Sequence, residues 1–299
     1  MPKLVTFLAV LLALAVRFSS ASTDGQVPLR VLYHNNEWAL RAAHNLSQWR
    51  SRLFESTEQW MVSMNNNERP ERWDRFKLFQ PFISCPPERP LRRVGPLNDG
   101  GKWLCEPARE VAPCTIISMG SNMDFRFEEA VLNETVCNVA TLDCTVDGRV
   151  LGDRHKFFKV CVGNSRHAAR EPGRVVTYSQ LLQQLGLQSL AILKIDVEGY
   201  EFPVFAEWHE TTRGLPEQIS VEVHWHKVWG AQGTPEELFP QWGRPDMSAM
   251  DLSLFFFHLA NLGYGIVSQE INDACPTCSE FTFLRVEGPY SHRLNPPPA

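Results

Sequence analysis

Two carboxylates stand at the end of an apolar run in Leu190-Ala-Ile-Leu-Lys-Ile-Asp196-Val-Glu198-Gly199-Tyr-Glu201. The run reads as a buried strand, and the sequence after Gly199 suits a helix. In an open α/β sheet, ligands sit outside the carboxyl ends of the strands, so Asp196 and Glu198 occupy a place where chemistry is expected. Burying a charge without a partner is costly, and a cofactor or substrate is the expected partner here. Such acids can orient a bound cation, bind a substrate, or take a proton from a hydroxyl as general base. Glu198 also admits a plainer reading, a carboxylate favoured by the dipole at a helix N-terminus.

Other strand ends carry polar residues of the same kind. Gly120 closes Thr115-Ile-Ile-Ser-Met119 where the backbone must pass close to a ligand, a place suited to glycine. Asp143 follows Gly120 by 23 residues. That separation matches the acid that holds a ribose hydroxyl pair in dinucleotide folds, and an ordinary strand-end cap explains it equally well. His224 and His226, in His-Trp-His, are two apart on a strand end and project to one face. His224 is read as a base beside Asp196, and His226 is given no role. A metal site completed by Cys275 and Cys278 is another reading of the pair. A local disulfide is preferred for those cysteines in an oxidising compartment, and no metal ion is expected.

These positions need a scaffold that brings strand tips together. Apolar residues at Trp38, Ala42, Leu46, Trp49, Leu53, Trp60 and Met64 recur at helical spacing, which predicts a helix over 36–64 that packs on the main domain or forms a stem. The stretch from Pro81 to Pro113 is rich in Pro, Arg and Gly and contains Cys85 and Cys105, with Cys114 just beyond, which suggests a cap stapled by disulfides. After Cys114, strands alternate with helices. Strands are expected at 115–119, 137–143, 157–162, 190–195 and 218–224, with a terminal antiparallel hairpin at 264–269 and 280–286. Helices are expected at 125–134, 178–185, 202–208 and 251–262, with Gly186 and Gly263 as stops. This alternation implies a largely parallel α/β sheet with helices on both faces.

Ile116-Ile-Ser-Met-Gly120-Ser-Asn-Met-Asp124-Phe, Leu142-Asp143-Cys144-Thr145, Leu193-Lys-Ile-Asp196-Val-Glu198-Gly199 and Val221-Glu-Val-His224-Trp225 together resemble one family. It is the S-adenosylmethionine-dependent methyltransferase-domain family that includes methyltransferase-like protein twenty-four and is related to the FkbM type. The resemblance covers roughly 81–286. It implies a Rossmann-like seven-stranded methyltransferase sheet preceded by an N-terminal helical, disulfide-stapled extension. It also implies S-adenosyl-L-methionine as cofactor, with Asp143 on its ribose, and Ser121, Asn122 and Asp124 near its amino-acid end. Asn164, after the third strand, would approach the adenine, and Asp196 would meet both cofactor and acceptor. Ser121 and Asn122 depart from the family pattern, since further glycines often stand there. FkbM relatives point to O-methylation of a hydroxyl. Trp225, Trp229, Phe239 and Trp242 would stack on a sugar or aromatic acceptor, or serve as lid or core packing.

A length of 299 residues suits one large domain with extensions. A hydrophobic fraction of 43% and a charged fraction of 21% exclude global disorder. The net charge of -5 argues against a nucleic-acid partner. The clusters Arg89 to Arg93 and Arg50/Arg52 are read as solvated faces. Lys3, the apolar run Leu4 to Val16 and the small residues Ser19 to Ser22 make a signal peptide over 1–22, or a short uncleaved signal anchor. Eight cysteines and the sequons Asn45-Leu-Ser47 and Asn133-Glu-Thr135 agree with a secreted or ER/Golgi lumenal protein.

The expected organisation is therefore a leader at 1–22, a helical stem at 23–80, a methyltransferase-like domain at 81–288 and a disordered tail at 289–299. The expected partner is a glycan, small-molecule or protein methyl acceptor, with membrane contact only through an uncleaved leader. The competing reading is a non-catalytic secreted binding protein that keeps the fold. A nicotinamide dehydrogenase is disfavoured, because G-x-G-x-x-G is missing after the first strand and Leu182 stands four residues after Tyr178 where a short-chain dehydrogenase carries lysine.

Overall fold

The computed structural model describes residues 36–65, 72–97, 100–107, 110, 112–226, 247–272 and 275–287. The expected leader, the tail, and Trp229, Phe239 and Trp242 lie outside them. The apolar stripe near the N-terminus forms α1 (Asn36–Asn65), which buries Trp38, Ala42, Leu46 and Leu53. The helix packs on the domain: Trp49 stacks on Phe82 at 4.9 Å, and Arg50 pairs with Glu287 at 2.8 Å. Asn45 and Asn133, the sequon asparagines, are exposed. Among the described residues no helix is long and apolar enough to cross a membrane.

A hairpin of β1 (Leu91–Val94) and β2 (Lys102–Cys105) follows. The alternating region then runs β3 (Thr115–Met119), α2 (Arg126–Glu134), β4 (Asn138–Leu142), β5 (His155–Phe158), β6 (Cys161–Gly163), α3 (Ser165–Arg170), β7 (Val175–Thr177) and α4 (Tyr178–Leu185). It continues through β8 (Ile192–Ile195), α5 (Glu201–Ala206), β9 (Gln218–His224), α6 (Ala249–Asn261), β10 (Tyr264–Ile271) and β11 (Cys278–Arg285). The main sheet has seven strands in the order β10-β11-β9-β8-β3-β4-β5, all running one way except β11, which is antiparallel to both β9 and β10. β3, β8 and β9 are buried along their whole length, since both faces of the sheet are covered, and Ser118, Lys194 and Glu222 are buried with their apolar neighbours. Helix ends follow local rules. Thr177 and Gln180 form a capping box at the start of α4, and Gly186 ends it at φ 68.

The expected third strand, 157–162, is in fact two. β5 is the edge of the main sheet, whereas β6 pairs with β7 in a small separate sheet, tied by the Cys144–Cys161 disulfide. A continuous apolar run does not reveal that its halves choose different partners. The cap is stapled by Cys85–Cys105, and Cys114–Cys137 joins the starts of β3 and β4. Gln218 holds the hairpin to the sheet by accepting from Cys105 N at 2.8 Å and donating to its carbonyl at 3.0 Å.

The reading of Arg89 to Arg93 as a solvated face is overturned. Arg89 is buried between Glu110 and Glu217, Arg92 pairs with Glu106 and Glu134, and Arg93 pairs with Glu270. Because the hairpin folds back over the sheet, these cations face acids distant in sequence. Arg50 is likewise committed to Glu287.

Burial, and then the charge of Glu110, push Glu217 up to about 8 despite the Arg89 guanidinium beside it. The folded state therefore holds a proton that the unfolded chain releases near 4.5. The contribution of this group to stability is complete below that value and is lost as pH rises toward about 8. Glu217→Gln is expected to lose less stability than the parent between about pH 5 and about pH 8 in urea denaturation of the full chain. Equal losses in the two proteins would refute this assignment.

Candidate active site

The strand order turns between β3 and β8, and a cleft of about 520 Å³ opens at their carboxyl ends. Cofactor sites in open sheets lie at such switch points and span about 300–1,000 Å³. The tips of β3 and β8 meet backbone to backbone. Gly120 has φ +78, and a Cβ on it would lie 1.7 Å from the Asp196 carbonyl oxygen, so no larger residue fits. Lys194, the single charge within β8, turns its ammonium onto the Gly120 carbonyl and lies 3.9 Å from Asp196 Oδ2.

The chain turns sharply after Gly120 without further glycines. Asn122 and Met123 take left-handed φ values of 42 and 65. Asp143, at the tip of β4, holds this turn: its Oδ2 accepts from Ser121 N at 3.0 Å and Asn122 N at 2.8 Å. Its Oδ1 accepts from Thr145 N at 2.9 Å and Thr145 Oγ1 at 2.6 Å. Burial opposes the charge of Asp143, but hydrogen bonds from Thr145, Asn122 and Ser121 outweigh it and hold the carboxyl below its ordinary range. Four donors occupy about the four lone-pair positions of a carboxylate. A strand-end clamp on the turn thus describes Asp143 here, and a ribose hydroxyl would have to displace one of these donors.

Gly120, Ser121, Asn122, Asp124, Asp143, Asp196 and Glu198 all line the cleft. Asp124 commits its charge to Arg126, at 2.8 and 3.0 Å from Nε, and this contact holds its carboxyl below the usual range. Asn164 does not line the cleft. Its Oδ1 accepts from His167 N at 2.9 Å as the N-cap of α3, and that wall is made instead by Val160, Cys161, Val162 and His167. Asparagine after a strand serves a helix start as readily as a ligand. His224 also stands outside the lining, buried directly behind Glu198 and Glu222. His226 packs its ring 5.3 Å from that of Trp225, and Cys275 and Cys278 are joined as a local disulfide.

A charge network with little trace in the sequence pattern lines the cleft through Lys102, Glu128, Lys194 and Glu222 and extends behind it. Glu201, fully buried at the start of α5, accepts from Gly199 N at 2.8 Å, His224 N at 3.1 Å and His224 Nδ1 at 3.0 Å. Burial opposes a charged His224, yet the carboxylates of Glu201, Glu222 and Asp196 prevail and hold it up to about 10. Burial, then the Asp196 charge, push Glu222 up to about 9. Asp196 stays below its ordinary range because Lys194, Lys102 and His224 outweigh its burial. Lys102 reaches this network from the hairpin and pairs with Glu280 of β11. Glu128 of α2 accepts from Ser118 Oγ at 2.5 Å, while its second oxygen is buried with no hydrogen-bond partner. Glu128, Glu201 and Glu222 sit beside the recognised motifs, so proximity was the one available signal. Lys102 and Glu280 had none.

A parallel sheet of this order, with its cleft between two acid-bearing strand tips, defines a Rossmann-like cofactor-binding domain. Residues 38–285 match the family model described as a methyltransferase domain, and the chain belongs to that family. Similar solved structures include a chain from the Haloferax volcanii complex containing the Trm112 methyltransferase activator, at 11% identity over 60% of this chain and 86% of that one, with a TM-score of 0.34. The Catenulisporales acidiphilia 16S rRNA (adenine(1408)-N(1))-methyltransferase is 13% identical over 66% of this chain and 99% of that one, with a TM-score of 0.31. Neither likeness is close enough to carry an argument. No curated protein matches the chain significantly.

Gly120→Ala is expected to destabilise the full chain by about 2 kcal/mol or more, because backbone must move at the strand tips. Thermal unfolding checks this, and an unchanged midpoint would show that the tips are not held together as described.

Proposed function

We propose that the chain is an S-adenosyl-L-methionine-dependent methyltransferase of the secretory pathway that methylates a hydroxyl of a glycan, small molecule or protein. The reading follows the resemblance of its motifs to those of the methyltransferase-like protein twenty-four and FkbM group. One observation carries the reading: acids at neighbouring strand tips, Asp143 and Asp196, line a single cleft on either side of the Gly120 turn.

The cleft fits the cofactor in size and chemistry. Leu142, Val160 and Val162 supply an apolar ledge for a flat base. Asp196, held below its ordinary range, places a carboxylate where a positively charged sulfonium and ammonium would sit, and the buried Glu128 oxygen has no hydrogen-bond partner among the described residues. S-adenosylmethionine, when bound, supplies a methyl group on a cationic sulfur. The chain's own part is to hold donor and acceptor in line and exclude water, since charge disperses in such a transfer. Asp196 and Glu198 orient the acceptor and receive its hydroxyl proton, with His224 buried behind them as a positioning group. The secretory setting is supported by the leader sequence and by four paired disulfides. The domain proper would then begin with α1, inside the stretch read from sequence as a stem.

A second reading, a binding protein without catalysis, draws support from the Ser121 and Asn122 amides, which point at Asp143 rather than into the cleft. Calorimetric titration of the full chain with S-adenosylhomocysteine tests both. Micromolar binding is expected, and its absence at adequate protein concentration would leave the binding-protein reading. Asp143→Ala is expected to weaken that binding about tenfold or more, because the turn that lines the cleft loses its hydrogen bonds to a charged group, each worth about 1.5–3 kcal/mol. Undiminished affinity would remove Asp143 from the site.

A further inference from the structure

Asp196, Glu198 and His224 each offer one ligand atom, and these atoms lie within 4.8 Å of one another. We propose that they form a divalent-cation site on the floor of the cleft, taking a cation such as Mn2+ or Zn2+ and presenting its open positions to an oxygen of the acceptor.

The histidine is built for this. Glu201 accepts from Nδ1 at 3.0 Å and also from two backbone amides, which fixes the ring and leaves Nε2 as the nitrogen that gives up its proton when an ion binds. A carboxylate behind a histidine in this way is the usual outer-shell arrangement of a metal-ligating imidazole. Nε2 is then left facing the acids, 3.5 Å from Glu198 Oε2 and 3.7 Å from Glu222 Oε2, beyond the 2.7–3.2 Å range of a good hydrogen bond. His224 is 5% exposed, so this nitrogen is held in place without a close partner of its own. Glu198, by contrast, carries a side chain 73% exposed, free to swing onto an ion.

Charge balance agrees. An arriving dication would displace the proton that Glu201, Glu222 and Asp196 otherwise hold on His224, and Asp196 and Glu198 would then balance it, while Lys102 stays matched by Glu280. One imidazole with two carboxylates suits ions between the hard and soft extremes. A competing cluster, Glu222 and His224 with Cys275 and Cys278, would require the two thiols that the disulfide consumes.

The role of the ion rests on the methyltransferase reading, but its binding does not. The full chain is titrated with Mn2+ and with Zn2+ by calorimetry, and Mn2+ is followed by electron paramagnetic resonance, without cofactor. One ion per chain is expected. Glu198→Gln, at an exposed side chain that the fold does not need, should weaken binding about tenfold or more, and Glu201→Gln about 10–100-fold. Circular dichroism establishes that both variants are folded. Cys275→Ser with Cys278→Ser should leave the affinity unchanged. Neither ion binding, binding indifferent to Glu198→Gln, or binding lost with the cysteine pair would overturn the site. A preparation that binds S-adenosylhomocysteine but no ion sinks this proposal alone, and one that binds an ion but not S-adenosylhomocysteine sinks the function alone.

Discussion

Gly120 and Asp196 touch backbone to backbone, and the cleft exists because they do. A side chain at 120 would occupy the space of the Asp196 carbonyl. With glycine there, β3 and β8 run in register to their tips, where Asp196 N donates to Met119 O at 3.0 Å. The turn that follows is then free to swing toward β4, where Asp143 receives it. One close approach thereby sets the distance between the two acids on which the functional reading stands. Lys194 reinforces it by bridging toward both the Gly120 carbonyl and the Asp196 carboxylate.

Asp143 also answers a departure in the motif. Glycine-rich turns bring bare amides close to a ligand; here Ser121 and Asn122 stand instead, and their amides converge on a carboxylate of the chain itself. The anion that organises the turn is thus built in, at 7% exposure. A turn held through its Ser121 and Asn122 amides has less freedom to lose when a ligand arrives, which favours pre-formed over induced binding.

The hairpin and α1 do more than decorate the sheet. β2 delivers Lys102 to the wall of the cleft, where it balances Glu280 and, with it, the Asp196 and Glu222 pair. Several carboxylates packed this closely are tolerable only with such cations among them, because unpaired buried charge is expensive. The cap is therefore part of the electrostatics of the site, held there by the Gln218 contacts and the Cys85–Cys105 bond.

Local physics was legible in the residues themselves. The periodicity of α1, the capping residues Thr177 and Gly186, the strand runs and the acids at their tips all depend on neighbours a few positions away. Asp196, Glu198, Gly120 and Asp143 could be placed at one sheet edge because a parallel alternation dictates where strand ends go. Partner choice was decided only by the tertiary structure. Asn164 turned to its own helix and Asp143 to the turn, Arg89 went inward, one apolar run split between two sheets, and Lys102 found Glu280 across 178 residues. Spacing constrains what lies within a turn or a strand, whereas a long-range pair depends on how whole layers dock, and no local pattern carries that information.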